Sequence, residues 1–136
     1  MEGSALILLD THALIYTVVE PRRLSRVAAS AIRRAKVRDG LAISAISLWE
    51  LALLFARGHL RAYGTVEDSV RLVVDSARVS VKPISPEIAS LALQFPDDFP
   101  HDPADRLIGA TARAEGLALV TRDEKIRSSP LLKTVW

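Results

Sequence analysis

The sequence predicts an α/β fold in which helices cover both faces of a central parallel sheet of four to five strands. Short, uninterrupted apolar runs of strand length, such as residues 5–9 and 117–120, alternate with longer segments of helical periodicity. Strands that are apolar on both faces are typical of parallel sheets buried between two layers of helices. No repeat, linker or low-complexity segment interrupts the alternation. We therefore expect one three-layer α/β/α domain over residues 1–136.

The first predicted strand is followed by two helices and a second strand. A helix begins at Thr11 and stops near Pro21, since a proline cannot continue a helix interior. Ser25 is a suitable N-cap for the next helix, which ends before Gly40. Residues 41–43 are again short and apolar, which favours a second strand.

Three helices and a third strand are predicted in the middle of the chain. Residues 47–57 form an almost uniformly apolar helix that ends at a glycine, and residues 66–77 show helical periodicity. Residues 79–81 are predicted to form the third strand. The next helix begins at Ser85 or Pro86 and continues for about two turns.

The last part of the chain completes the alternation. Pro103 suits the first position of a helix that runs to Glu115, and Gly116 ends that helix. Residues 117–120 form the fourth strand, and residues 134–135 are predicted to add a short edge strand.

Composition excludes several classes of site. With 136 residues, of which 49% are apolar and 25% charged, the chain is long enough for one domain with a sizeable core. It has no cysteine, which excludes disulfides, thiolate metal sites and cysteine nucleophiles. Its three histidines lack the paired spacing of a histidine metal site. Any bound metal is therefore expected to have oxygen ligands, which suit Mg²⁺ or Mn²⁺.

Charged residues interrupt the longest apolar stretches, so none has the length and the flanks of a membrane span. Residues 1–4 contain an acidic residue and no basic one, unlike the start of a secretion signal. We expect a cytoplasmic protein that has no membrane partner.

Positive charge is concentrated between residues 20 and 39. This segment holds seven basic and two acidic residues, whereas the whole chain has a net charge of +2. One interpretation is a surface that binds the phosphate backbone of RNA, with Arg22, Arg23 and Arg26 as candidate contacts. The other, commoner for such segments, is the solvated face of an amphipathic helix whose apolar stripe faces the core. The segment alone leaves both interpretations open.

Two carboxylates stand in unusually apolar surroundings. Asp10 is the only charged residue within residues 3–19, and Glu50 is the only one within residues 40–56. A buried carboxylate without a partner is strongly unfavourable, or it becomes protonated. Because neither stretch contains a lysine or an arginine, a shared metal ion is the natural partner.

Two further acids, Asp105 and Asp123, are candidates for the same pocket. Asp10 and Asp123 come directly after predicted strands, and the carboxyl ends of parallel strands meet at one edge of a sheet. Each acid also fits a helix start: Asp10 as an N-cap, Asp105 as a first-turn acid behind Asp102, and Glu50 and Asp123 in capping boxes. Independent caps need not converge, however. Four carboxylates in one pocket would repel each other unless cations neutralised them, so convergence predicts bound Mg²⁺ or Mn²⁺.

Carboxylate-bound divalent ions activate a water molecule and stabilise the leaving oxygen of a phosphodiester without a nucleophilic side chain. This chemistry suits a chain with no cysteine, no evident Ser-His-Asp arrangement and no glycine-rich phosphate-binding loop. The residues thus favour metal-dependent hydrolysis of phosphodiesters.

Four motifs, taken together and in order, resemble the PIN-domain family, specifically the VapC-like ribonuclease toxins of type II toxin–antitoxin pairs. They lie at residues 8–12 (LLDTH), 44–50 (SAISLWE), 102–108 (DPADRLI) and 119–123 (LVTRD). The resemblance spans nearly the whole chain. It implies a PIN-like parallel sheet between helices and a Mg²⁺- or Mn²⁺-dependent endoribonuclease. It also implies a homodimer that a cognate antitoxin protein inhibits by occupying the active-site groove.

Carried over position by position, the resemblance assigns the metal-binding and catalytic acids to Asp10, Glu50, Asp105 and Asp123, with Asp10 and Asp105 as direct ligands. Other residues would support them. Thr11 and Thr121 match hydroxyl positions that orient an acid or a water, or else they cap helices. Asp102 is either a fifth acid of the pocket or only an N-cap. Arg106 either pairs with a neighbouring acid or contacts a phosphate.

Two other functions compete with the endoribonuclease. One is a non-catalytic PIN-like module that uses the same pocket to bind RNA or a protein. The other is a phosphohydrolase of the haloacid-dehalogenase type, which requires a second aspartate where this chain has His12.

Overall fold

The computed structural model describes residues 5–136, so the expectation about the first four residues lies outside it. The strands are β1 (Ile7–Leu9), β2 (Leu41–Ser44), β3 (Val79–Lys82), β4 (Ala118–Val120) and β5 (Thr134–Val135). They form one parallel sheet in the order β3-β2-β1-β4-β5. The predicted parallel sheet is confirmed, and the short edge strand is part of it.

Helices connect the strands. They are α1 (Thr11–Val19), α2 (Arg26–Lys36), α3 (Ala45–Ala56), α4 (Val66–Ala77), α5 (Pro86–Ala92), α6 (Pro103–Glu115) and α7 (Glu124–Arg127). A 3₁₀ turn, Pro21–Arg23, follows α1. The sequence interpretation did not include this turn. The capping box that it predicted over residues 121–124 is wrong, because the N-cap of α7 is Asp123, whose side chain accepts from the Lys125 and Ile126 N–H groups.

Alternate residues of each strand face opposite sides of the sheet, as the strand repeat requires. Leu9 and Ile43 pack into a core with residues of α1, α2, α3 and α4. Leu8 and Ala42 pack into a second core with residues of α5, α6 and α7. All four side chains are fully buried, which gives the predicted three-layer α/β/α arrangement.

The strand order reverses direction at the centre of the sheet, between β1 and β4. The chain moves outward from β1 through β2 to β3, and then returns to the other side of β1 as β4. In open parallel sheets, ligands bind beyond the carboxyl ends of the strands at such a reversal. Asp10 follows β1 and Asp123 lies three residues beyond β4, and the Asp10 backbone N–H donates to the Val120 carbonyl at 3.1 Å. The two acids therefore lie at the place where a ligand is expected.

The start of α3 differs from the sequence prediction. The helix begins at Ala45, two residues early, because the Ser44 hydroxyl accepts a hydrogen bond from the Ile46 N–H at 3.2 Å and caps it. The capping box proposed for Ser47 and Glu50 is therefore wrong. Glu50 lies in the second turn of the helix, where it caps nothing.

Among residues 5–136, no helix is long and apolar enough to span a bilayer.

The two-sided burial of β1 allows a first prediction. Leu8→Ala should lower the free energy of unfolding by about 2–5 kcal/mol, because it removes buried methyl groups from a close-packed core. Leu93→Ala is the matched control, since the Leu93 side chain is 84% exposed, and it should change stability by less than about 0.5 kcal/mol. Urea denaturation of both variants provides the measurement. Equal losses would contradict the two-core description.

Candidate active site

Five carboxylates line one cavity of about 330 Å³ at the carboxyl edge of the sheet. They are Asp10, Glu50, Asp102, Asp105 and Asp123. The structure thus brings together all four acids that the sequence singles out, together with Asp102. The rest of the lining is formed by Thr11, His12, Tyr16, Ile108 and Arg122.

Asp10 is held at the floor of the cavity by the start of α1. Its Oδ1 accepts a hydrogen bond from the Ala13 N–H at 2.8 Å, so the residue is the N-cap of that helix. Burial raises the pKa of Asp10 above its ordinary value, and hydrogen bonds from the Thr121 hydroxyl and the Ala13 N–H oppose this rise. Asp10 is therefore both a cap and a member of the pocket, so the two interpretations of this residue do not exclude each other.

Glu50 reaches the cavity from the second turn of α3 and is oriented by two hydroxyl groups. The Thr11 hydroxyl donates to the Glu50 carboxylate, and Thr11 Oγ1 lies 2.8 Å from the Ser47 Oγ. Since the single Thr11 proton goes to Glu50, the Ser47 hydroxyl donates to Thr11. Burial is the main reason that the pKa of Glu50 is raised, and the Thr11 hydrogen bond opposes it.

Ser47 was not among the sequence candidates, although its side chain is fully buried. The i,i+3 spacing of Ser47 and Glu50 places both on one face of α3. From the sequence alone, this spacing is explained as a capping box. In the structure, Ser47 instead reaches Glu50 through the Thr11 hydroxyl.

Asp105 carries the clearest electrostatic signature. It lies in the first turn of α6, and its pKa is raised to about 7. Burial is the largest cause, and repulsion from Asp102, Asp123, Glu50 and Asp10 adds to it. The proton on Asp105 is therefore held much more tightly than on an ordinary aspartate.

Asp102 and Asp123 are exposed N-caps at the rim. Asp102 Oδ1 accepts from the Ala104 N–H at 3.2 Å, and Asp123 Oδ1 accepts from the Lys125 N–H at 2.9 Å. The Thr121 Oγ1 accepts the Asp123 N–H at 3.2 Å. Because Thr121 also hydrogen-bonds Asp10, its one hydroxyl ties the two strand-end acids together.

The Arg106 guanidinium binds backbone carbonyls and not a carboxylate. Its three nitrogens donate to the backbone carbonyls of Pro100, Phe95 and Pro96, at 2.8, 3.2 and 3.3 Å. The side chain therefore fastens the loop before α6. Its contribution to the site is to fix the helix that carries Asp105.

The cavity has the donor set for a hard divalent cation, although no metal site is already formed in it. Within the described residues, no three carboxylate or histidine side chains are gathered tightly enough to hold one metal ion. In the same part of the chain, no lysine or arginine forms an ion pair with Asp10, Glu50 or Asp105. Oxygen ligands with uncompensated negative charge fit Mg²⁺ or Mn²⁺.

Comparison with known proteins gives matches over nearly the whole chain. The family model described as PIN domain matches residues 7–130. Ribonuclease VapC22 of Mycobacterium tuberculosis (strain ATCC 25618 / H37Rv) is 40% identical over 132 residues, which cover 96% of this chain and 98% of that protein.

Several solved structures share the fold. VapBC2 from Rickettsia felis, bound to a DNA fragment from its promoter, gives a TM-score of 0.70 at 17% identity and covers 95% of this chain and 96% of its own. DNA-bound VapBC from Salmonella typhimurium gives a TM-score of 0.67 at 21% identity and covers 94% of this chain and 95% of its own. A toxin-antitoxin complex from Klebsiella pneumoniae gives a TM-score of 0.63 at 23% identity and covers 93% of this chain and 94% of its own.

The crowding of acids allows a prediction about stability in EDTA. Because the pKa of Asp105 in the folded protein, about 7, lies above its ordinary value of 3.8, the folded state binds this proton more tightly than the unfolded state. The free energy of unfolding should therefore fall as the pH rises from about 4 to 7. Asp105→Asn should reduce this loss and be more stable than the parent protein at pH 8 by about 1–3 kcal/mol, a figure reduced for the partial exposure of the group.

Urea denaturation at pH 5 and pH 8 in EDTA measures this effect. Asp98→Asn, an exposed acid outside the cavity, is the control and should follow the parent protein. The prediction is contradicted if Asp105→Asn declines with pH as steeply as the parent.

Proposed function

The chain belongs to the PIN domain family, and on that premise we propose that it is a metal-dependent endoribonuclease, the toxin of a toxin–antitoxin pair. The observation that carries this proposal is the group of five carboxylates around one cavity. Among the described residues, no lysine or arginine forms an ion pair with the three inner acids, Asp10, Glu50 and Asp105. The relative that is 40% identical is named a ribonuclease, which supports RNA as the substrate. The reaction is hydrolysis of a phosphodiester bond.

Asp10, Glu50, Asp105 and Asp123 would hold the metal, which we propose is Mg²⁺ or Mn²⁺. Asp10 and Asp105 are the proposed direct ligands, as the family resemblance implies. Burial raises the pKa of both, as it does for Glu50, and a cation would relieve that cost. When bound, the metal supplies an activated water and stabilises the charge on the leaving oxygen. Asp102 stands at the rim as a fifth acid.

The chain's own residues prepare the acids for this task. Thr11 and Thr121 donate hydrogen bonds to Glu50 and Asp10, which favours the ionised form of each carboxylate and fixes its direction. No serine lines the cavity and the chain has no cysteine, so among the described residues the pocket offers neither of these nucleophiles. Water is therefore the proposed nucleophile.

The proposal extends to the partners. Three structures with this fold are described as toxin–antitoxin or VapBC assemblies. We propose that this chain likewise binds a cognate antitoxin, forms a homodimer and acts in the cytoplasm. A non-catalytic PIN-like module would need the binding surface but not the three inner acids. The presence of these acids therefore favours the enzyme.

The metal mechanism makes a direct prediction. The purified protein should cleave single-stranded or structured RNA with Mg²⁺ or Mn²⁺ and stop in EDTA. Asp10→Asn and Asp105→Asn should each lower the cleavage rate by about 100-fold or more, since each removes a proposed ligand. Gel analysis of end-labelled RNA gives the rates, and Asp98→Asn serves as the control of equal charge change. Cleavage that persists in EDTA, or in both variants, would contradict the mechanism.

The basic segment supplies a second prediction about RNA. Arg22 and Arg23 both pair with Glu20, at 2.9 and 3.6 Å, and all three candidate arginines, Arg26 included, are exposed. If they also contact phosphates, replacing the three with glutamine should weaken RNA binding and flatten its dependence on salt.

Fluorescence anisotropy at several salt concentrations measures this slope. The matched control replaces Arg33, Arg34 and Lys36, which carry the same charge at the other end of α2. An equal slope in both triple variants would restore the interpretation as a solvated helix face.

A further inference from the structure

One wall of the acid-lined cavity is basic and aromatic. It consists of His12, Tyr16 and Arg122, and Arg122 is the only lysine or arginine among the described residues that line the cavity. Arg122 is exposed, and within residues 5–136 it forms no ion pair with any of the five carboxylates. An arginine that forms no ion pair with any of the acids beside it keeps most of its five N–H donors available for a ligand.

Tyr16 holds this arginine in place. The Arg122 Nη1 donates to the Tyr16 hydroxyl at 3.5 Å, across 106 positions of the chain. The Tyr16 ring is itself fixed on several sides: the Arg23 guanidinium lies 5.1 Å from its centroid, and the Trp136 ring centroid lies 6.5 Å away. The Tyr16 side chain therefore lies between two guanidinium groups, and the contact that it makes with Arg122 does not involve the acids.

The charge of the substrate explains why such a group is needed. An RNA strand brings several phosphates, and only the one at the reaction centre is matched by a metal at the acids. A neighbouring phosphate at the edge of a cavity with five carboxylates is repelled unless a cation meets it. A guanidinium suits this role because its planar fork binds phosphate oxygens in pairs and keeps its charge at any physiological pH.

We propose that Arg122, positioned by the Tyr16 hydroxyl, binds a non-scissile phosphate of the RNA strand beside the acid cavity. Arg23, on the face of the Tyr16 ring, continues the same basic track towards the 3₁₀ turn. The inference rests on the proposed endoribonuclease function and names the part of the cavity that holds the strand in register.

The test compares steady-state cleavage of an RNA oligonucleotide by Arg122→Gln, Arg122→Lys and Tyr16→Phe. Arg122→Gln should raise KM about tenfold and leave kcat within about threefold of the parent value. The slope of log(kcat/KM) against log salt concentration should fall by about 1, the value for one lost phosphate contact. Arg122→Lys should recover part of the loss, since it keeps the charge without the fork. Tyr16→Phe keeps the ring and should raise KM by about threefold.

Arg127→Gln is the matched control, because this arginine lies in the same segment but outside the cavity. Circular dichroism and thermal melting establish that each variant folds. An unchanged KM in Arg122→Gln, or an equal change in Arg127→Gln, would overturn the proposal. A large fall in kcat at constant KM would overturn it too, because Arg122 would then act on the reacting phosphate.

Two further outcomes separate this proposal from the function on which it rests. If the parent protein cleaves no RNA, the endoribonuclease proposal fails, and RNA binding measured by anisotropy then decides the role of Arg122 by the same comparison of variants. If Arg122→Gln changes neither KM nor RNA binding but weakens the complex with an acidic protein partner, the arginine binds a protein anion and the RNA proposal is overturned.

Discussion

The site depends on one unfavourable arrangement, the burial of carboxylates that have no basic partner where the sheet reverses its strand order. Asp10 and Asp123 are brought there by β1 and β4, and α3 and α6 add Glu50 and Asp105. The two cores on the faces of the sheet pack the elements that carry these acids. Burial and the neighbouring acids raise the pKa of Asp105 to about 7, and a bound cation would relieve that cost. On the proposed function, stability of the metal-free fold and affinity for metal would therefore be opposed in this pocket.

Hydroxyl groups reduce the cost without cancelling the charge. Thr11, supported by Ser47, donates to Glu50, and Thr121 joins Asp10 to the backbone of Asp123. A lysine or arginine in the same positions would neutralise the acids and compete with a metal. A neutral donor stabilises the carboxylate and leaves its charge for a ligand. The absence of ion pairs to the inner acids among the described residues is thus consistent with a site that takes its positive charge from solution.

Much of this could be predicted from the sequence because the signals are local. Apolar runs, prolines and glycines placed the strands and most helices within a few residues, and the isolation of Asp10 and Glu50 among apolar neighbours identified the pocket. The capping box at Ser47 failed because Ser44 caps α3 instead, a choice between two serines that spacing does not decide. Arg122 and Tyr16 went unnoticed because they are 106 positions apart and meet only in the folded chain. Arg106 was assigned by charge, whereas its donors bind the backbone carbonyls of Phe95, Pro96 and Pro100, a contact that the spacing of residues does not reveal.

The division of charge within the cavity also limits what it can bind well. On the proposed function, the acids would bind a divalent cation and, through it, one phosphate, while Arg122 and, on the face of the Tyr16 ring, Arg23 offer guanidinium groups for another. A ligand with a single phosphate satisfies only the first side and leaves the guanidinium unused. A strand with successive phosphates satisfies both, and its binding energy is then spent on aligning the scissile bond with the acids. On the proposed function, this arrangement would favour a polymer over a mononucleotide, which an endonuclease requires and a phosphomonoesterase does not.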